Sequence, residues 1–551
     1  MRKRINNLIE LYRDFTERAY APFTGIHKKG VFICNIAFSL YVTTVISMLT
    51  LSSNIPLLLF TIYQITKLCL IKWSDLRISC LSERCRLQKN TFIICSSIIF
   101  AVLIINLLAH YPGGISGDSL DQWNQVQTGN FNNWHPAIHT MIIWLITRIV
   151  PFYSFFICFQ ILCFSILSGY MAATIEAWGI KKRWVIIFMI TIISTQTTRN
   201  IMLYPWKDTA FTVLVLCLSV YMVNIVLSRG LWLTKWYNTS ALAVVGALAS
   251  IIRHNSFFFT VPLGILLITF YTKSTRNTII AVISSILVVL GITNILYPLA
   301  NVTYPTNQTY VESVRLPMTI LSGVMVNKPE ALDQQTKEFL LKIVDEQEWM
   351  KTYKSGNFNS IEWYFDTTDI ISEIPPGDLI MMTLRAIINA PMTSLREFIA
   401  LTRMVWSPLD WRNISVITDE GINALSDNEL VFMQQIRAVG QVINSFFNAA
   451  FWLFTPSSIL GSIGLHMTTL LVIGVYSINR NMGVKGLFLI IPSVMYNLGT
   501  MLLLGGPDYR FFHFNTVVTL PLIIALLASS KHNEDQSSRT KTLCSSPIDK
   551  T

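Results

Sequence analysis

The stretch TFIICSSIIFAVLIINLLAH at 91–110 carries no Asp, Glu, Lys or Arg. Wound as a helix at about 1.5 Å per residue, a run of that length crosses the ~30 Å hydrocarbon core of a bilayer. Similar runs occupy 31–53, 151–178, 277–300 and 486–504. A chain with several such runs cannot bury them all in one aqueous core. The composition agrees, since 52% of the 551 residues are hydrophobic, only 13% are charged, and the mean hydropathy is +0.49. The sequence therefore predicts an all-α polytopic membrane protein.

The spans are oriented by where the basic residues fall, because short loops rich in Lys and Arg stay in the cytoplasm. Clusters occur at Arg2, Lys3, Arg4, Lys28 and Lys29, at 77–89, at Lys181, Lys182 and Arg183, at Arg229 and Lys235, at Lys273 and Arg276, at Arg480 and Lys485, and at 531–550. Placing all of them inside predicts about twelve crossings with both termini cytoplasmic. The expected spans are 31–53, 54–71, 91–110, 151–177, 185–198, 209–227, 239–252, 257–272, 278–300, 455–478, 487–504 and 515–529. Those at 185–198 and 239–252 are short enough to be broken or partly buried helices, and 136–150 reads as an interfacial or re-entrant helix. The first thirty residues are polar and basic, so no cleavable signal peptide is expected. The net charge of +11 fits basic cytoplasmic loops, and no basic and aromatic pattern for nucleic acid appears. None of the nine cysteines falls in a loop placed outside, so no disulfide framework is implied.

Composition then divides the chain. Residues 1–30 form a cytoplasmic segment, 31–300 a transmembrane core with an outer loop at 111–135, and 301–440 a large extracytoplasmic insert rich in charge. Residues 441–529 return to the membrane and 530–551 form a cytoplasmic tail. Late in the insert, LIMMTLRAIINAPMTSLREFIALTRMVW has the spacing of an amphipathic helix able to lie along the membrane surface.

With this orientation the polar residues able to do chemistry all fall on the outer side. The first outer loop, GGISGDSLDQW followed by NNWHPAIHT, brings Asp118 and Asp121 onto one face of a helix starting near Ser119. Around them lie Trp123, Trp134, His135 and His139. A carboxylate held near a sugar hydroxyl is a reasonable general base, although Asp118 or Ser119 would equally serve as a helix cap and the aromatic residues as interfacial anchors. The segment TTRNIMLYPWKDTAF places Arg199, Lys207 and Asp208 where positive-inside bias disfavours cations. They suit an anion such as phosphate, or headgroup snorkelling and a local ion pair. Arg253, His254 and Asn255 interrupt a long apolar stretch, which points to function or to a simple helix break. His254 has no spaced partner for a metal. Glu312 with Arg315, and Asp508 with Arg510 in LGGPDYRFFHF, add further charges to the same face, or form ordinary interfacial pairs.

Taken in order, GGISGDSLDQW…NNWHPAIHT, YPWKD, RHNS, ES…LP and GPDYRFF resemble the bacterial multi-spanning glycosyltransferases of the GT-C class that use polyprenyl-phosphate sugars. The resemblance covers most of the chain, sparing the first 90 residues and the insert after Lys328. It implies a GT-C-like helical core with an outer cavity, an acidic catalytic residue at Asp118 or Asp121, and donor-phosphate cations among Arg199, Lys207, Arg253 and Arg510. Trp123, Trp134, His135, His139, Asp208, His254, Asn255, Glu312 and Asp508 would then line the substrate site. The Asp-x-x-Asp spacing is neither an adjacent acidic pair nor Asp-x-Asp. That departure leaves a role for a divalent metal open, and no other cofactor is expected.

The expected activity is an inverting hexosyl transfer at the outer face of a bacterial inner membrane. The sugar would pass from an undecaprenyl-phosphate donor to an envelope glycan such as O-antigen. The bilayer, the lipid-linked donor and the glycan acceptor are the expected partners, with no nucleic acid. A transporter or flippase for lipid-linked glycan is the main rival, and a non-catalytic scaffold the second. Transporters often carry internal repeats and midplane charges, and neither stands out here.

Overall fold

The computed structural model describes residues 78–271, 275–410, 425, 427–431, 433–452, 460–478 and 482–530, with short pieces between 35 and 63. The spans expected at 31–53 and 54–71, and the segments 1–30 and 531–551, lie wholly or largely outside the described residues. What is described is mostly helical with almost no strand, and the fold is that of an all-α membrane protein.

The core helices are α1 (Lys89–Ala109), α2 (Gly117–Thr128), α3 (Ala137–Thr147), α4 (Tyr153–Ala177), α5 (Lys182–Ser194), α6 (Gln196–Ile201), α7 (Lys207–Leu227), α8 (Trp236–Ile251), α9 (Phe257–Phe270) and α10 (Thr275–Gly291). The insert contributes α11 (Arg315–Asn327), α12 (Gln334–Ile343), α13 (Pro376–Asn389) and α14 (Pro391–Trp406). Then come α15 (Met433–Trp452), α16 (Ile463–Ser477), α17 (Ile491–Met501) and α18 (Phe514–Leu527).

Five helical segments are long and apolar enough to cross a bilayer: Lys89–Ala109, Tyr153–Ala177, Lys207–Leu227, Arg276–Leu299 and Tyr509–Leu527. A sixth, Gly483–Leu489 continued by Ile491–Met501, is bent by 46°. Helices α3, α8 and α16, with 254–270, are apolar but shorter. Among the described residues the count thus falls below the twelve expected. Some expected spans lie outside, and others are too short to cross unaided, as at 185–198, where α5 has 13 residues.

The lipid-facing character shows in which side chains remain uncovered. On α1, Ile99, Leu103 and Leu107 are buried while Ile93, Ile94 and Ile98 are exposed. On α10, Ile283, Ile286, Leu287 and Leu290 are all exposed. Helices apolar on their uncovered side have no stable place in water. By contrast α7 is buried nearly all round and packs against α4, α8 and α18 at the centre of the bundle.

The bundle has two unlike ends. At one, Ile78–Cys80 pairs in parallel with Ala528–Ser530, and Leu81 N–H donates to the Trp178 carbonyl at 2.8 Å. The turns on this side carry Arg86, Lys182, Arg183, Arg229, Lys235 and Lys485; Asn277 reaches the Leu233 carbonyl at 3.0 Å, and Lys485 lies 5.6 Å from the Tyr271 ring. Since α1 runs away from this end and α18 runs toward it, the loops after α1 and before α18 meet at the other.

The insert has its own apolar core, with Met318, Leu321, Phe339, Leu340, Trp349, Phe358, Ile361, Ile371 and Leu379 buried together. A buried carboxylate fixes one loop of it: Glu397 accepts from Tyr353 Oη at 2.7 Å, Ser355 Oγ at 3.0 Å and the Gly356 amide at 2.7 Å. Helix α14 packs back onto α16 and α17, tying the insert to the bundle.

Candidate functional site: a charge cluster where five loops meet

The loop after α1 is shaped by close backbone approach. Gly113 has φ +125°, and a Cβ there would strike Ile157 and the Leu203 carbonyl, so the position requires glycine. Gly114 N–H donates to the Leu203 carbonyl at 3.0 Å and its own carbonyl accepts from Tyr153 Oη at 2.7 Å. The chain then enters α2 at Gly117, two residues before the expected start. Ser116 is the cap, its Oγ accepting from the Ser119 amide at 3.3 Å and from the Trp206 indole at 2.8 Å. Capping therefore does not consume Asp118, which sits in the first turn, where the helix dipole favours a negative charge.

The Asp118 carboxylate meets side chains from two other segments. Arg510 Nη1 lies 2.6 Å from its Oδ2, and His135 Nε2 lies 3.9 Å from its Oδ1. The other imidazole nitrogen, Nδ1, is 2.6 Å from Lys207 Nζ. Arg510 Nε is also 2.7 Å from Asp508 and 3.9 Å from Asp208. Asp208 is ion-paired with Arg253, the two side chains being 0% and 3% exposed. The Arg510 guanidinium stacks between aromatic residues, 5.0 Å from the Trp206 and Phe511 ring centres. Three carboxylates thus face three cations, and at 27% and 30% exposure Asp118 and Asp508 form the open side.

Ionisation follows from this packing. Burial opposes charge on Asp118, but the Arg510 and Lys207 charges outweigh it and hold its pKa far below the ordinary carboxylate value. Asp121 is shifted the other way, raised by burial, with the Gln125 hydrogen bond at 2.7 Å partly opposing. Burial, then the Lys207 charge, pushes His135 well below its usual pKa. It is therefore neutral at pH 7: the Lys207 ammonium donates to Nδ1, leaving the buried and unpartnered Nε2–H directed toward Asp118.

Not every expected residue belongs to the cluster. Arg199 is turned away: its Nη1 donates to the Ile193 and Ser194 carbonyls at 2.8 and 3.0 Å, capping the end of α5. It lines a separate cavity with Asn106, His110 and Gln441. Trp123 is buried and packs edge-on against Tyr153 at 5.4 Å, and His139 is buried with Gln122 2.9 Å from its Nδ1, so both support the site from beneath. His254 Nε2 lies 3.2 Å from the Asn133 and Trp134 carbonyls, adjoining the RHNS loop to the first one. Asn255, half-buried, follows it in the same short turn.

Trp134 stacks on His135 at 4.7 Å, and its indole donates to Glu312 at 3.1 Å. Through Glu312 the insert enters the site. Arg315 holds Glu362 with two bonds of 2.8 and 3.0 Å. Asn359 N–H donates to the Gly505 carbonyl at 3.1 Å, bracing the loop that carries Arg510. Glu362 and Asn359 gave no sequence signal, being ordinary polar residues in a polar segment.

No family model, curated protein or solved structure matches the chain. Function has to be argued from the cluster. Among the described residues no group of three or more His, Cys, Asp and Glu side chains is placed to hold a metal ion. The arrangement offers a guanidinium and an ammonium beside a partly exposed carboxylate. Such a set can bind a phosphate oxygen and accept a proton from a nearby hydroxyl.

Proposed function

We propose that this chain is a lipid-linked-sugar-dependent glycosyltransferase of GT-C-like architecture. It would move a hexose from a polyprenyl-phosphate donor, undecaprenyl phosphate in a bacterial inner membrane, to a surface glycan such as O-antigen. The observation that carries the reading is the contact of Asp118 with Arg510 beside Lys207, at the end of the bundle opposite the basic turns. By the positive-inside tendency the basic end is cytoplasmic, which puts the cluster on the outer face. Nucleotide sugars are absent there, so a lipid-carried donor is the chemically available one. The finer topology we propose is about twelve crossings with cytoplasmic termini.

In this reading Arg510 and Lys207 engage the donor phosphodiester. Asp118 takes the proton of the acceptor hydroxyl as its oxygen forms a bond to the anomeric carbon. The bond from that carbon to the phosphate oxygen breaks, and the configuration inverts. As the diester becomes a departing monoester its negative charge grows, so the cations stabilise the transition state more than the bound donor. The neutral His135, hydrogen-bonded to Lys207, fixes the ammonium and offers Nε2–H to a substrate oxygen.

The decisive experiment is transfer from a panel of synthetic undecaprenyl-phosphate hexoses to envelope glycan by the purified protein beside Asp118→Asn. Turnover by the wild type and its loss in the variant support the reading. No transfer, together with movement of lipid-linked glycan across liposomes, would replace it with a flippase.

A further inference from the structure

The insert carries an uncovered apolar face that its own core does not use. On α13, Leu379, Met382, Thr383 and Ala386 point into the core, while Ile380, Met381, Leu384 and Ile388 are exposed, Ile388 at 74%. The face continues on α14 with Met392 and Leu395, at 63% and 45% exposure. The spacing 380, 384, 388 follows one side of a helix, so this is a continuous stripe and not scattered residues. A soluble domain rarely leaves such a stripe open, and its usual partners are a membrane or another protein.

Three observations select the membrane. First, α14 packs directly on α16 and α17, and α17 with its cap residue leaves Met495, Leu498 and Leu502 exposed. The apolar surface of the insert thus adjoins apolar surface of the bundle. Second, cations flank the stripe along α13 and α14: exposed Arg385, which pairs with Asp333 at its side, exposed Arg396, and half-buried Lys328, whose Nζ reaches the Asn389 carbonyl. Exposed Glu330 and Glu373 lie near its ends, and Asp378 stands at the start of α13. Cations at the edge of an apolar helix face suit phospholipid phosphates. Third, Trp363 and Tyr364 on the same insert are 72% and 75% exposed, and such side chains favour the headgroup level.

We propose that α13 and the first turns of α14 lie on the bilayer surface with the stripe from Ile380 to Leu395 immersed among the acyl chains, anchoring the insert as a peripheral membrane element. Two docked helices would then fix the height of the insert above the leaflet. Since the insert braces Gly505 through Asn359, lipid contact and the position of Arg510 are mechanically linked. This inference does not depend on the glycosyltransferase reading.

The test uses the full-length protein in nanodiscs containing phosphatidylglycerol, with the photoreactive p-benzoylphenylalanine introduced at Leu384, at Ile388, or at exposed Lys342 on α12 as a control. After irradiation, mass spectrometry should find roughly tenfold more lipid adduct at 384 and 388 than at 342. Equal adduct at all three sites overturns the proposal, and crosslinks from 384 or 388 to a second copy of the chain would assign the face to an oligomer instead. Correct folding is checked on the same samples by size-exclusion profile and thermal midpoint, so loss of adduct through misfolding is recognised and is not scored.

Discussion

Asp118→Asn should abolish transfer while making the protein bind a polyprenyl phosphate more tightly. In the free protein Arg510 already has carboxylate partners, Asp118 at 2.6 Å and Asp508 at 2.7 Å. A phosphate entering the site has to compete with Asp118 for the guanidinium. The cluster of Asp118, Asp208 and Asp508 against Lys207, Arg253 and Arg510 is neutral, with His135 uncharged, so removing one carboxylate leaves one net positive charge. A unit charge about 4 Å away at an effective dielectric near 20 is worth ~4 kcal/mol. Asp118 lies on the open side, 27% exposed, and water there cuts this to ~1.5–3 kcal/mol, or roughly ten- to hundredfold in Kd. Turnover should fall by about two to four orders of magnitude with the base gone. Equilibrium binding of a short-chain polyprenyl phosphate to the purified variant, with turnover measured in parallel, reads both quantities. Weaker or unchanged phosphate binding would refute the competition argument even if turnover is lost.

The pH profile separates the two aspartates. The folded pKa of Asp118 is depressed, so its ion pair stabilises the fold above the unfolded value of about 3.9 and is lost as pH falls through the lower folded value. With Asp118 as base, kcat/KM should show no acid limb down to about pH 4. Asp121 has a raised pKa, so its ionisation weakens the fold as pH rises above about 3.9, and an acid limb above that value which Asp121→Asn removes would transfer the role to it. Asp208→Asn should lower thermal stability by about 3–5 kcal/mol, because it strands the buried Arg253 charge. Asp208→Asn combined with Arg253→Met should recover part of the loss, and a double variant as unstable as the single would refute the pairing argument. Gly505→Ala should raise the donor KM several-fold and leave the protein folded, since the added methyl meets Asn359 and Arg315 and pushes the insert away from the Arg510 loop; an unchanged KM would sever that link.

How far the sequence discloses this molecule depends on the range of the force involved. Uninterrupted apolar runs mark α1, α4, α7 and α10 because burial in lipid acts on every residue of a span, whatever its neighbours. Short helices such as α3 and α8 are visible as short. The convergence of loops bearing Asp118, Lys207, Arg253 and Arg510 follows from alternation of crossings, since every second loop lands on the same side. What alternation does not convey is where a long side chain turns once it arrives. Arg199 lies on the segment that leads to Lys207, yet folds back on the carbonyls that end α5, because four open carbonyls at a helix terminus are a strong local acceptor. The same limit hides Glu362, which meets Arg315 across an insert whose fold is set by its own apolar core, and Ser116, which takes the capping role expected of Asp118 or Ser119.

The charge cluster itself argues against a purely structural reading. Burying Asp208 with Arg253 takes two ions out of water, and their attraction repays that cost only in part; apolar side chains of similar volume would hold the bundle at least as well. A chain that is 52% hydrophobic has no shortage of such residues, and elsewhere α7 is packed with them. Yet at its first turn α7 presents Lys207 and Asp208, facing an Arg510 that is braced by Asp508 and sandwiched between Trp206 and Phe511. The bracing restricts Arg510 to one geometry, and that geometry points its Nη1 at the open side where Asp118 stands. In the proposed reading, this braced guanidinium, paired with the partly exposed Asp118, would serve an anion that comes and goes. Arg510→Lys tests this directly: it keeps the charge but loses the planar fork, so phosphate affinity should drop about tenfold, whereas a merely structural cation would tolerate the exchange with affinity intact.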